Sequence, residues 1–209
     1  MKRRIFVKAG ALGTVGVISH SAIADSNQPT PAEIKGPFYP VIAQKDKDFD
    51  LTKVDNSKME ALGEHIFVYG SIIDTAGLPV ENATVDVWQA NAAGKYRHPH
   101  DSSLAPADEN FQGWAIVQTG KDGKFKFKTV LPGSYPVAPG WVRPPHIHFK
   151  VTKREYVELI TQMYFPEQPL NKIDKLLLKK NKDQQKLMIA QKSSDQPNTF
   201  YYRVVIEKV

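Results

Sequence analysis

The chain contains no cysteine. That excludes disulfides, iron–sulfur clusters and cysteine-built structural zinc sites, so any metal must be held by nitrogen and oxygen ligands. It also lacks an apolar run of the ~20 residues that a spanning helix requires. The apolar stretch from Ala9 to Ile18 is short and interrupted by glycines. No basic stripe interleaved with aromatics marks a nucleic-acid footprint, and there is no internal repeat and no second domain. What is present is one domain's worth of sequence, 209 residues, with 13 glycines and 15 prolines spread widely. That distribution suits many turns rather than long helices.

Residues 1–24 read as an export leader of twin-arginine type. Lys2-Arg3-Arg4-Ile5-Phe6-Val7-Lys8 is a basic segment with paired arginines, the apolar stretch follows, and Ala22-Ile23-Ala24 is a small-x-small cleavage site. Removing the leader leaves 185 residues and takes away four cations and no acid, so the formal net charge of +6 falls to +2. The expectations are a periplasmic protein with no stable membrane insertion after cleavage, an N-terminal arm and loop over 25–64 in which the polar residues 25–32 are disordered or loose, and a single domain over 65–209.

From His65 onward the pattern is all-β: a β-sandwich core with loops and one C-terminal helix. Residues 65–73, 83–90, 113–119, 125–129, 147–151, 160–165 and 199–206 are rich in β-branched and aromatic residues, with turn signals such as Lys121-Asp122-Gly123-Lys124 between them. The segment Leu170 to Ala190 is the one good helix candidate.

Within Arg143-Pro144-Pro145-His146-Ile147-His148-Phe149, strand periodicity projects His146 and His148 to one face and Ile147 and Phe149 to the other. Two imidazoles on one face make half of a metal site. Two tyrosines lie in loops fixed by glycine or proline, in Gly94-Lys95-Tyr96-Arg97-His98 and Pro132-Gly133-Ser134-Tyr135-Pro136. Each alone reads as a half-buried aromatic. A second pair, His98 and His100, reads as surface or supporting residues, with a histidine-based zinc or copper site as the competing possibility. Trp88 reads as core.

Taken together, Gly36-Pro37-Phe38-Tyr39, the stretch Gly70 to Pro79, Ala83 to Asn91, Gly94 to His98, Asp122-Gly123, Pro132 to Pro136, Arg143 to Phe149 and Thr161 to Phe165 resemble the intradiol ring-cleavage dioxygenases, the family of protocatechuate 3,4-dioxygenase and catechol 1,2-dioxygenase. The resemblance implies one non-haem Fe(III) per chain, with Tyr96, Tyr135, His146 and His148 as its protein ligands. It implies a catechol, protocatechuate-like, into which both atoms of O2 are inserted to give a cis,cis-muconate-type diacid. Tyr135 would be displaced from the metal and act as a base, Arg143 would stabilise negative charge on the activated substrate, and Gln162 would line the substrate pocket. For Arg143 a surface salt bridge is the alternative, and for Gln162 a strand-surface amide. The donor set suits the chemistry, because a hard, highly charged ion favours anionic oxygen.

The chain departs from the catechol-type pattern in lacking the long helical N-terminal dimerisation region. It departs from the two-chain protocatechuate type in carrying all four ligands itself, so it can work alone or as a homo-oligomer. An exported, non-enzymatic β-sandwich binding module is the other reading; it explains the strands and the leader and leaves the ligand set unexplained.

Overall fold

The computed structural model describes residues 27–42, 44–55 and 57–209, so the leader assigned to 1–24 lies outside the described residues. Among the described residues ten strands form two four-stranded sheets and a hairpin. In chain order they are β1 His65–Asp74, β2 Thr84–Trp88, β3 Trp114–Gln118, β4 Lys124–Val130, β5 Tyr135–Ala138, β6 Trp141–Arg143, β7 His146–Thr152, β8 Leu159–Tyr164, β9 Gln191–Lys192 and β10 Thr199–Ile206. One sheet runs β4-β1-β10-β9, the other β3-β2-β7-β8, and β5-β6 stands apart. The pairing of β1 with β10 is parallel; the others are antiparallel.

Alternation decides which side chains meet between the sheets. Val85, Val87, Ile147, Phe149 and Val151 are all buried in one apolar cluster with Ile66, Val68, Phe125, Phe127 and Val204. Burying each such side chain stabilises the fold by roughly 1.5–3 kcal/mol. The alternate residues of β2, β7 and β8 must therefore point away from that core, and they include Trp88, His146, His148, Gln162 and Tyr164. Register sets them side by side: Trp88 is opposite His148, His148 opposite Gln162, and His146 opposite Tyr164.

This second face is also covered, in part by the segment expected to be a loose arm. Residues from 27 onward are tied down rather than loose. Thr30 N–H donates to the Val205 carbonyl (3.0 Å), Thr161 Oγ1 donates to the Pro31 carbonyl (2.8 Å), and Glu33 N–H donates to the Ile160 carbonyl (2.8 Å). Further on, Tyr39 donates its hydroxyl to Asp86 (2.7 Å) and meets Trp88 edge-on at 4.9 Å. Polar composition suggested disorder, but backbone hydrogen bonding to the sheet decides the outcome.

The C-terminal helix is shorter than its apolar pattern. Only Lys182–Met188 (α1) is α-helical among the described residues, and 3-10 turns occupy Pro169–Lys172 and Leu177–Lys179. Asp174 interrupts the run. Its Oδ1 accepts the N–H groups of Leu176 (3.1 Å) and Leu177 (2.8 Å), which starts a new turn there. α1 then begins afresh with a capping box between Asn181 and Gln184.

Candidate metal centre

The two tyrosine loops and the histidine strand converge on the covered face of the β3-β2-β7-β8 sheet. Tyr96 Oη lies 3.1 Å from His148 Nε2, and Tyr135 Oη lies 3.4 Å from His146 Nε2. The two imidazole centroids are 4.9 Å apart, and the two phenol rings meet edge-on at 5.4 Å. All four residues that the resemblance nominated as ligands thus come together, from positions up to 52 residues apart.

Glycine makes the convergence of the two loops possible. Gly94 has φ +81°, and a Cβ there would stand 2.5 Å from the Ser134 carbonyl oxygen. A Cβ on Gly133 would stand 2.4 Å from the Gly94 backbone nitrogen. The loops cross backbone to backbone with no room for side chains, two residues before each tyrosine. The Tyr96 loop is then fixed by Asn91, whose Oδ1 accepts the N–H groups of Ala93 and Lys95 (both 2.9 Å), and by Asp101, which accepts the Tyr96 N–H at 2.7 Å. Tyr135 was expected in a loop; it opens the short strand β5 and pairs with Arg143 on β6.

The imidazoles are presented differently. His146 Nδ1 is 2.7 Å from the Pro144 carbonyl, so Nδ1 carries the proton and Nε2 keeps its lone pair for the site. His148 stacks on the Trp88 indole, 4.8 Å between centroids and 11° from parallel, and its Nδ1 is buried without a hydrogen-bond partner. Trp88 is core, as its sequence context suggested, and it also orients a candidate ligand.

Burial sets the protonation of this group in the metal-free fold. It holds the Tyr96 hydroxyl well above the ordinary phenol value, with the Tyr135 phenol adding to the effect. Tyr135 is likewise raised by burial, although the Arg143 charge pulls against it. Burial, then the Arg143 charge, pushes His148 down to about 3, and the same causes depress His146. Neutral imidazoles are the ligand form, and a bound cation converts a buried phenol to phenolate. Two neutral imidazole nitrogens and two phenol oxygens, converging in a site that lacks thiol, fit a hard trivalent iron better than a soft metal. Among the described residues no cluster of three His, Cys, Asp or Glu competes for a metal. His98 is buried and accepts the His100 N–H at Nδ1 (3.1 Å), while His100 is exposed.

A cavity of about 400 Å³ opens beside the four residues, lined by Tyr135, His148, Arg143, Gln162, Phe38 and Trp141 among others. That volume suits a small ligand. Tyr135 lines it and is half-buried, whereas Tyr96 is only 3% exposed, stacked on Phe38 at 4.6 Å.

Arg143 is not a surface residue and Gln162 is not a surface amide; they are 4% and 0% exposed. Arg143 Nε donates to Asp174 Oδ2 (2.7 Å), and Nη2 donates to Gln162 Oε1 (2.7 Å) and to the Tyr164 hydroxyl (2.8 Å). The Gln162 amide nitrogen in turn donates to the Ile34 carbonyl at 3.2 Å. Sequence reasoning missed Tyr164 and Asp174. A buried arginine requires a counter-ion, and the acid inside the apolar run Ile173 to Leu177 was the available signal.

A dioxygenase family model matches residues 34–206. The protocatechuate 3,4-dioxygenase beta chain of Burkholderia cepacia is 43% identical over 148 residues, covering 68% of this chain and 63% of that protein. Catechol 1,2-dioxygenase 1 of Acinetobacter lwoffii is 32% identical over 154 residues, covering 68% of this chain and 48% of that protein. The chain therefore spans about half to two thirds of the length of these curated relatives. The dioxygenase domain of a dioxygenase–carbohydrate-binding protein fusion from Streptomyces sp. SirexAA-E superimposes with a TM-score of 0.63 at 27% identity, covering 87% of this chain and 99% of that one. The 3-chlorocatechol 1,2-dioxygenase of Rhodococcus opacus 1CP shares the fold with a TM-score of 0.68 at 23% identity, covering 89% and 75%.

Proposed function

The chain belongs to the intradiol ring-cleavage dioxygenase family, and we propose that it cleaves a catechol between its two hydroxylated carbons, inserting both atoms of O2 to give a cis,cis-muconate-type diacid. The observation that carries this is the convergence of Tyr96, Tyr135, His146 and His148 beside a ligand-sized cavity. These four would hold one non-haem Fe(III) per chain. When bound, the ferric ion would supply the Lewis acidity that acidifies the catechol hydroxyls and makes the ring reactive towards O2.

The chain's own residues divide the remaining work. His146 and His148 stay neutral and keep their Nε2 lone pairs available at neutral pH. Tyr96, packed under Phe38, is a fixed oxygen donor. Tyr135 faces the cavity, so its Oη, a phenolate when it holds the metal, could take a substrate proton and act as the base. Arg143 is held charged: burial opposes the charge, but the oxygens of Tyr164 and Asp174 outweigh it. Its guanidinium then stabilises negative charge developing on the ring oxygen or carbon nearest to it. Gln162 lines the cavity and accepts from Arg143, which fixes the fork that meets substrate.

A protocatechuate-like substrate is supported by the name of the Burkholderia relative, while a catechol substrate is supported by that of the Acinetobacter relative. Turnover of each under isotopically labelled O2, with products weighed by mass spectrometry, tests the proposal. Two labelled oxygens in a ring-opened diacid support it; an intact ring with every catechol refutes it. Export through a twin-arginine leader belongs to the same proposal. It predicts a mature chain starting at Asp25 in the periplasm, read by N-terminal sequencing. Among the described residues no helix is long and apolar enough to cross a membrane. Native mass decides whether the chain works alone or as a homo-oligomer.

A further inference from the structure

Ile34, Gly36, Pro37 and Phe38 line the cavity, and two of them lie directly on candidate ligands. Phe38 stacks on Tyr96 with 4.6 Å between ring centroids. Gly36, at φ +76°, passes so close to His148 that a Cβ there would stand 3.3 Å from Cε1 of the imidazole. This stretch therefore packs on the Tyr96–His148 pair, yet its own hold on the sheets is thin. Among the described residues, no backbone hydrogen bond ties Lys35, Gly36, Pro37 or Phe38 to either sheet. Side-chain bonds secure the two ends instead. At one end the Gln162 amide nitrogen donates to the Ile34 carbonyl at 3.2 Å. At the other, Tyr39 donates its hydroxyl to Asp86 Oδ2 at 2.7 Å.

The sheet delivers Asp86 to that contact. It stands two residues before Trp88 on β2, so its side chain leaves the same face, and it is only 7% exposed. Its other oxygen, Oδ1, accepts from Trp114 Nε1 at 2.6 Å. Both carboxylate oxygens thus have a donor, and a hydrogen bond to a carboxylate belongs to the stronger class. The Tyr39 ring meets Trp88 edge-on, and Trp88 stacks on His148. The contact reaches the ligand pair by two routes: through Phe38 onto Tyr96, and through Trp88 onto His148.

We propose that the hydrogen bond from Tyr39 to Asp86 latches segment 34–39 over the metal centre, which makes both of them positioning residues for Tyr96 and His148. The proposal rests on the ferric reading of the same site. Neither residue lines the cavity; each acts through the side chains packed between it and the ligands.

The rate at which the iron-loaded full chain loses metal to excess chelator at neutral pH tests the latch. Tyr39→Phe removes the hydroxyl and keeps the ring on Trp88. It should release iron about tenfold faster, the low end of what losing a supporting residue costs a metal site. Asp86→Asn can keep both contacts, accepting from Trp114 and donating to the Tyr39 oxygen, and should stay within about twofold of the native rate. Native iron loss in the Phe variant, even with a lowered melting temperature, overturns the proposal, and so does an Asn variant that leaks as fast as the Phe variant. The native chain gives a second readout that needs no variant. Lys35 is exposed, so trypsin cuts after it when the segment lifts. Coupling is reciprocal, so iron loading should slow that cut by about tenfold, read by mass spectrometry. Equal rates with and without iron overturn the proposal even if Tyr39→Phe fails to fold. A native chain that takes up no iron overturns the ferric reading and the latch together. Iron uptake and catechol turnover, with an unmoved rate of iron loss in the Phe variant, overturn the latch alone.

Discussion

The phenol oxygen of Tyr96 lies 3.1 Å from Nε2 of His148, although 52 residues separate the two in the chain. Nothing in either local sequence demands that contact. It follows from the register of β2 and β7, which sets Trp88 against His148, and from a loop after β2 that returns over the same face. The pair is therefore the most sensitive indicator of whether the fold has assembled a metal site.

Replacing either partner should remove metal binding without removing the fold. Tyr96→Phe and His148→Ala are each expected to weaken ferric affinity on the order of a hundredfold or more, as ligand and supporting-residue losses do in metal proteins. Iron content after dialysis, with circular dichroism to check folding, reads the outcome. Native iron content in both variants would contradict the assignment.

Acid should destabilise the metal-free protein through its histidines. His148 is pushed down to about 3 and His146 is also depressed, so the unfolded chain binds more protons than the folded one between the folded values and about 6.5. Stability from these groups is present in full above about 6.5 and is lost as pH falls, for His148 down to about 3, at roughly 1.4 kcal/mol per pH unit for that residue. Melting temperatures across that range check it. His148→Gln should flatten the acid limb.

Iron binding should run the other way in protons. Burial keeps both phenols protonated in the metal-free fold, so ferric binding must expel a proton from each, and apparent affinity rises with pH. Titration of the metal-free protein in weakly buffered indicator solution measures the release. Binding without proton release would mean that the tyrosines are not ligands.

Tyr164→Phe should be costly although Tyr164 is no candidate ligand. Its hydroxyl accepts from Arg143 and sits 3.1 Å from Gln162 Oε1 and 3.3 Å from Asp174 Oδ1. Leaving those buried groups short of a partner should cost about 1–3 kcal/mol, read by denaturant unfolding. A smaller fall in catechol kcat should accompany it.

Gly94→Ala should separate the two tyrosine loops. Its φ of +81° and the 2.5 Å approach to the Ser134 carbonyl leave no place for a methyl group, and the strain should cost roughly 1–3 kcal/mol. The expected signature is a drop in melting temperature together with weakened iron retention. A stable variant with native iron content would show that the loops tolerate separation.

Much of this is legible in the sequence. Alternation in the stretches around Val85, Phe127 and His146 located the sheets, and the His-x-His strand put both imidazoles on one face. Three things were not legible. The arm from residue 27 looked disordered because its composition is polar, yet its backbone groups pair with β8 and β10. The helix pattern over 170–190 ignored the appetite of Asp174 for backbone N–H groups and for Arg143. The β5-β6 hairpin carries Pro136, Gly140 and exposed residues, so it offers no periodicity to read. In each case long-range hydrogen bonding outweighed local pattern.

The visible spectrum of the purified, iron-loaded chain, recorded with its metal content before and after anaerobic catechol, tests the central claim most directly. Two phenolates on ferric iron predict a broad visible charge-transfer band, about one iron per chain, and a shift when catechol binds. A chain that folds, takes up no iron and stays colourless after ferric loading would contradict it.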